Sequence, residues 1–476
     1  MLPIRRKGER GPWLVMLHWL GGGAQTWDEV SDALGARGVR CAALDLPGFG
    51  EAHGVDGHDV STMADEVIET VRRLRASGEP WLLAGLSMGG KVAAVVARRA
   101  LDGEPGLDGL RGLVLVSASP PGPEPMSDSK RADMLRTLGT DPGDPARARQ
   151  HAADFVDANT GKLPLLDHVR ERAIAGVLAQ NRTAFRDWLD HGSKEDWSSR
   201  VGALALPALV IAGTEDEELG VDAQRAHTLP HVPGGELVIF EATGHLSPLE
   251  RAGELVEHVT QFFGRTGLPL TTAEAAPGRA FTSLLASAHT APQTRRVLEE
   301  RLARSLDWTT APRVFRPDEL RTLRALAARI VPGAGIDLAG RLDAQLAAGP
   351  GDGWRFATLP PDVAAWRQGL ASLDLAARRT HGVSFLALHD AQKDGLLRQA
   401  AAGSLGRGLL GAMHLGEAAD AFPAAEMRSW FEDVRAEFTR LYVADPRTLD
   451  RLRFTGFADD LGFTRIAIGQ REEFER

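Results

Sequence analysis

The chain has a single cysteine, Cys41. An intrachain disulfide and a cysteine-built metal cluster are therefore both excluded. Cys41 lies in the apolar run 39–46 and reads as a small core residue rather than a reactive thiol. No apolar run approaches the roughly 20 residues that cross a bilayer. The basic start M-L-P-I-R-R-K-G-E-R-G-P-W lacks the apolar stretch of a secretory leader, so a cytoplasmic setting is expected. Positive charge is in deficit. The 55 Lys and Arg against 64 Asp and Glu give a formal net charge of −9, which argues against nucleic acid or an anionic membrane as the main partner. The Gly21-Gly22-Gly23 run does not continue as G-x-G-x-x-G, no P-loop occurs, and residues 315–471 hold no C-x-x-C-H haem motif and no metal-spaced histidine cluster. Neither a cofactor nor a metal is expected.

What is present is a soluble globular composition, 43% hydrophobic and 25% charged, over 476 residues. That length exceeds one ordinary core. From the start to about Gly264, short apolar strands alternate with helical stretches. Strands are expected at 13–19, 39–44, 81–85, 113–117, 208–213 and 236–240, and several are continuous runs of the kind buried on both faces of a parallel sheet. The fold class is α/β, a doubly wound and mostly parallel sheet, followed by an all-α part. Residues 117–201 interrupt the alternation with helical periodicity, and a helical lid over about 120–200 is the simplest reading. The division expected is 1–264 for the α/β part, 265–312 for a linker carrying one helix, and 313–476 for the helical part.

Chemistry concentrates in the α/β part. Gly85-Leu86-Ser87-Met88-Gly89 follows an apolar strand and opens a small-residue helix, the strand–turn–helix setting of a G-x-S-x-G nucleophile elbow. A serine hydroxyl needs a base, a group that orients the base, and donors for the developing oxyanion. After strand 208–213 comes the acidic turn Thr214-Glu215-Asp216-Glu217-Glu218. Asp216 is the preferred orienting acid, with Glu215 or Glu217 as alternatives. After strand 236–240 comes Thr243-Gly244-His245, which puts His245 in the slot of the base. The backbone N–H groups of Met88 and Leu20 are the expected oxyanion donors. His18 reads as a structural hydrogen-bonder, and Trp19 and Trp188 as substrate-binding aromatics.

Taken together, L-H-W-L-G-G-G, D-L-P-G-F-G, G-L-S-M-G-G, I-A-G-T-E-D and T-G-H-L-S-P-L-E resemble the α/β-hydrolase superfamily, in its esterase and haloperoxidase-like branch, over residues 13–264. The resemblance implies an α/β-hydrolase sheet with a Ser–Asp–His triad acting on a small-molecule ester or lactone. Cofactor-free haloperoxidase or C–C bond hydrolase chemistry would use the same triad. Trp19 departs from the family, which usually has glycine after the histidine. The short lead-in before Trp13 also leaves little room for the two antiparallel edge strands many relatives carry.

The helical part holds no catalytic motif. Its text F-R-P-D-E-L-R-T-L-R-A-L-A-A-R-I-V-P-G-A, with G-L-A-S-L-D-L-A-A-R-R-T-H-G-V-S-F, D-A-Q-K-D-G-L-L and F-T-R-L-Y-V-A-D-P, resembles the gluconate 2-dehydrogenase subunit 3 family over about 315–471. That resemblance implies an accessory subunit that associates with a flavin-dependent oxidoreductase of the glucose–methanol–choline class. The family's Gly-Gly-Asn run is replaced here by Arg447-Thr448-Leu449, and its usual export signal is missing. A chain serving mainly as such a non-catalytic accessory subunit is the alternative to a serine hydrolase.

Overall fold

The computed structural model describes residues 1–140, 143–268, 270, 277–303, 308–349, 356–405, 421–454 and 457. The chain divides into two compact units, Met1–Leu270 and Thr271–Arg476.

The first unit is built on a seven-stranded sheet: β1 (Ile4–Lys7), β2 (Trp13–Leu17), β3 (Arg40–Leu44), β4 (Trp81–Leu86), β5 (Leu110–Val116), β6 (Ala208–Gly213) and β7 (Glu236–Phe240). Their spatial order is β1-β3-β2-β4-β5-β6-β7. Only β1 runs antiparallel, with Ile4 opposite Leu44. Every residue of β2, β4 and β6 is buried, which explains why these strands read as unbroken apolar runs. The strand β1 was not anticipated. Its text I-R-R-K is polar because it caps an edge, with Arg5 paired to Asp28 and Lys7 to Asp32.

Helices α1 (Asp28–Ala36), α2 (Val60–Leu74) and α3 (Met88–Leu101) connect the first strands. The chain runs from β2 to β3 on one side, then returns to place β4 on the other side of β2. That reversal opens a crevice at the carboxyl ends of β2 and β4, the usual ligand position in open α/β sheets. Between β5 and β6 lie α4 (Asp128–Thr137), α5 (Pro145–Ala158), α6 (Asp167–Ala179) and α7 (Arg182–Asp190). Phe185, Trp188 and Leu189 bury one face of α7.

The second unit is helical among its described residues. The stretch expected to be a linker with one helix carries two, Arg279–Ala286 and Pro292–Ala303. The first was missed because it is eight residues long, yet Phe281, Leu284 and Leu285 give it a buried i, i+3, i+4 stripe. Helices at Pro317–Ile330, Leu338–Ala348, Asp362–His381, Asp390–Ala401 and Ala424–Val443 follow. Trp366 packs edge-on against Trp430 at 6.1 Å and lies 5.8 Å from Phe438. Gly369 makes this possible, because a β-carbon there would sit 2.0 Å from the Trp430 ring. Part of the text that resembles the accessory-subunit family, residues 458–471, lies outside the described residues.

Candidate active site

Ser87 sits between β4 and α3 with φ 52° and ψ −121°, a conformation that an L residue adopts only when its surroundings impose it. The flanking glycines are what permit it. A β-carbon on Gly85 would lie 2.3 Å from the Gly89 carbonyl oxygen, and one on Gly89 would lie 2.7 Å from the Leu17 carbonyl oxygen. The turn is held by Ser87 N–H donating to the Val116 carbonyl at 3.0 Å, and by Gly90 N–H donating to the Ser87 carbonyl at 2.7 Å.

Asp216 and His245 come from the turns after β6 and β7. His245 Nδ1 lies 2.8 Å from Asp216 Oδ2, and the Leu219 N–H donates to Asp216 Oδ1 at 3.1 Å. The two other candidate acids point elsewhere: Glu215 pairs with Lys162 at 3.0 Å, and Glu217 is exposed. Burial alone would drive His245 toward neutrality and Asp216 toward protonation. Their mutual charge and hydrogen bond outweigh it, so the histidine titrates above its ordinary range and the aspartate below. Ser87 and His245 line one cavity without a hydrogen bond between them, a link that often tightens only when substrate binds.

The amides of Leu20 and Met88 donate to no other group among the described residues. His18 explains how the first is aimed. Its Nε2 accepts the Leu46 N–H at 3.0 Å, so Nδ1 carries the proton and donates to the Trp19 carbonyl at 2.8 Å. In a trans peptide, fixing the Trp19 carbonyl turns the Leu20 N–H the opposite way. Burial lowers the His18 pKa and keeps this ring neutral.

The cavity holds about 50 Å³ and is lined by Trp19, Leu20, Ser87, Glu124, Met126, Phe155, Trp188 and His245, among others. Trp19 stacks on Phe155 of α5 at 5.4 Å and meets His245 edge-on at 6.4 Å. Trp188 is backed by Lys91, whose ammonium lies 5.9 Å from its ring. Lys91 is fully buried and donates to the carbonyls of Gly192, Ser193 and Glu195 at 3.0–3.3 Å, fastening the end of the lid to α3. Burial pulls its pKa down to about 8.

Two residues here escaped the sequence reading. Glu250 is buried, and its carboxylate accepts the N–H groups of Gly161, Gly244 and Leu246, which pins the loop carrying His245. Its only signal was the final letter of T-G-H-L-S-P-L-E. Glu124 lines the cavity beside Ser87 and was hidden in the breaker-rich S-A-S-P-P-G-P-E-P, where it read as loop text. Among the described residues no group of His, Cys, Asp and Glu could hold a metal, and no helix is long and apolar enough to cross a membrane.

Comparison with known proteins agrees with this architecture. Residues 14–258 match the model of the alpha/beta hydrolase family, and residues 317–455 match that of gluconate 2-dehydrogenase subunit 3. A pimeloyl-[acyl-carrier protein] methyl ester esterase of Sodalis glossinidius is 33% identical over 181 residues, covering 32% of this chain and 65% of that protein. A 2-hydroxy-6-oxononadienedioate/2-hydroxy-6-oxononatrienedioate hydrolase of Cupriavidus pinatubonensis is 27% identical, covering 53% of this chain and 86% of the relative. Among solved structures, an esterase from Exiguobacterium antarcticum superposes with a TM-score of 0.47 at 19% identity, over 55% of this chain and 94% of its own. The hydrolase model spans more than half of the chain, so the protein belongs to the alpha/beta hydrolase family and carries a gluconate 2-dehydrogenase subunit 3 domain behind the hydrolase domain.

Proposed function

We propose that the first unit hydrolyses carboxylic esters or lactones through an acyl-enzyme on Ser87. The observation that carries this reading is the His245–Asp216 contact at 2.8 Å beside an elbow serine in the same cavity. Ser87 Oγ attacks the substrate carbonyl carbon while its proton passes to His245 Nε2. The carbonyl oxygen becomes an oxyanion held by the Leu20 and Met88 N–H groups. The C–O bond to the alcohol then breaks, and the departing oxygen takes the proton from His245. Water attacks the acyl-enzyme with His245 again as base, releasing the acid and restoring Ser87. Asp216 holds the imidazole in the tautomer that leaves Nε2 free, and Trp19 and Trp188 form the walls against the substrate. Ser87→Ala is expected to abolish turnover of p-nitrophenyl acetate. Retained turnover in that variant would remove Ser87 from its role. A substrate panel that includes halogenation and C–C cleavage separates ester hydrolysis from the other chemistries of such a triad.

The match at 317–455 favours a second role for the other unit. We propose that it docks a flavin-dependent oxidoreductase, whose alcohol or sugar oxidation would furnish a lactone for the first unit. A yellow flavoprotein retained on gentle purification of the full chain is the expected result. Its absence would leave the helical unit as a structural companion.

A further inference from the structure

Glu124 is held in the cavity by its backbone, with its N–H donating to the Ser193 carbonyl at 2.8 Å and its carbonyl accepting the Met126 N–H at 2.8 Å. Prolines at 120, 121, 123 and 125 stiffen the segment on either side. The Oε1 atom is shielded from solvent and accepts no hydrogen bond. A shielded carboxyl oxygen without a partner is costly, and a native fold retains one where something else supplies the partner. The Ser119 hydroxyl nearby can fill at most one of the four lone-pair sites of a carboxylate. Burial raises the Glu124 pKa against the pull of Ser119, Lys91, Arg131 and His245.

These neighbours restrict what the missing partner is. Lys91, Arg131 and His245 disfavour an ammonium, and a second carboxylate would meet Glu124 itself. What is left is a neutral donor. A hydroxyl fits, because it donates to an ionised carboxyl and also accepts from a protonated one. We infer that Glu124 is the specificity residue of the cavity, selecting esters or lactones that carry a free hydroxyl close to the scissile carbonyl. This rests on the acyl-enzyme reading of Ser87.

The test compares kcat/KM for α-hydroxy- and β-hydroxy-γ-butyrolactone with that for γ-butyrolactone, using the full chain. The wild type is expected to favour at least one hydroxylactone by about 10- to 100-fold. Glu124→Leu should erase that preference by lowering the hydroxylactone value far more than the γ-butyrolactone value. Glu124→Met makes the same test should the leucine variant fail to fold, and Glu124→Gln should keep most of the preference. Equal wild-type rates, or a preference that survives in the apolar variants, would overturn the inference. Fluorophosphonate labelling of Ser87 keeps the two readings apart. Intact labelling without hydroxyl preference removes only the role of Glu124, whereas a wild type that is not labelled removes the acyl-enzyme and this inference with it.

Discussion

In the helical unit, Arg324 meets Asp337 at 2.6 Å and Arg341 meets Asp445 at 2.5 Å, with both aspartates buried. Arg329 bridges to the half-buried Asp394 at 2.8 Å. Around the cavity of the first unit, Lys91 and Glu250 are instead held by backbone carbonyls and amides, and Glu124 Oε1 by nothing. Both places bury charged side chains, but their arrangement differs. A charge neutralised by its opposite joins helices and keeps no capacity for a visitor. A charge held by peptide groups, or left with open valence, either stiffens a reactive loop or waits for a ligand.

The sharpest way to break this comparison is at Asp216, a carboxylate beside the cavity that does face a partner charge, as Glu218 of the cavity wall does with Lys130. Asp216→Asn should lower kcat on p-nitrophenyl acetate by about 10⁴-fold with the fold intact, because the amide favours the wrong tautomer of His245. A loss below tenfold would return Glu215 or Glu217 to consideration. Next in size, Arg324→Met should destabilise the helical unit by about 3–5 kcal/mol in thermal unfolding, since it strands the buried Asp337. The double change Arg324→Met, Asp337→Leu should recover most of that. About 1 kcal/mol should stay lost, because Asp337 also caps the following helix through the Gly340 N–H. Ester turnover at 25 °C should not move in either variant.

Glu250→Ala is expected to cost about 3 kcal/mol in urea unfolding, as the buried N–H groups of Gly161, Gly244 and Leu246 lose their acceptor. It should also lower kcat, which Arg324→Met should not. The smallest effect is on pH. His245 must be neutral to accept the serine proton, and its folded pKa is raised, so activity is lost as pH falls through a value above the ordinary imidazole range near about 6.5. Asp216→Asn should move that acid limb downward. A wild-type kcat/KM profile flat to pH 5.5 would contradict the pairing.

What was legible in the sequence was what the backbone demands of particular residues. Gly85 and Gly89 flank Ser87 because no side chain fits there, and that need is visible as letters at fixed spacing. The buried strands β2, β4 and β6 were legible because burial on both faces leaves only apolar text. β1 was not, because an edge strand pairs its polar side chains with a helix that only the fold brings near. Glu250 and Glu124 were opaque for a related reason. One partner of each, at 161 and 193, lies far along the chain in the lid, and no local pattern announces a contact across that distance.

The His245 N–H donates to the Asn159 carbonyl at 2.9 Å, and a β-carbon on Gly161 would collide with the Gly244 amide at 2.6 Å. Residues 159–161 thus serve as a common wall between the lid and the loop of the base. Anyone grafting a lid from another member of this family onto the sheet would inherit a hidden splice point. Carrying over the helices while altering these three residues would misalign the base, and keeping them would leave the rest of the lid free to be exchanged for new substrates.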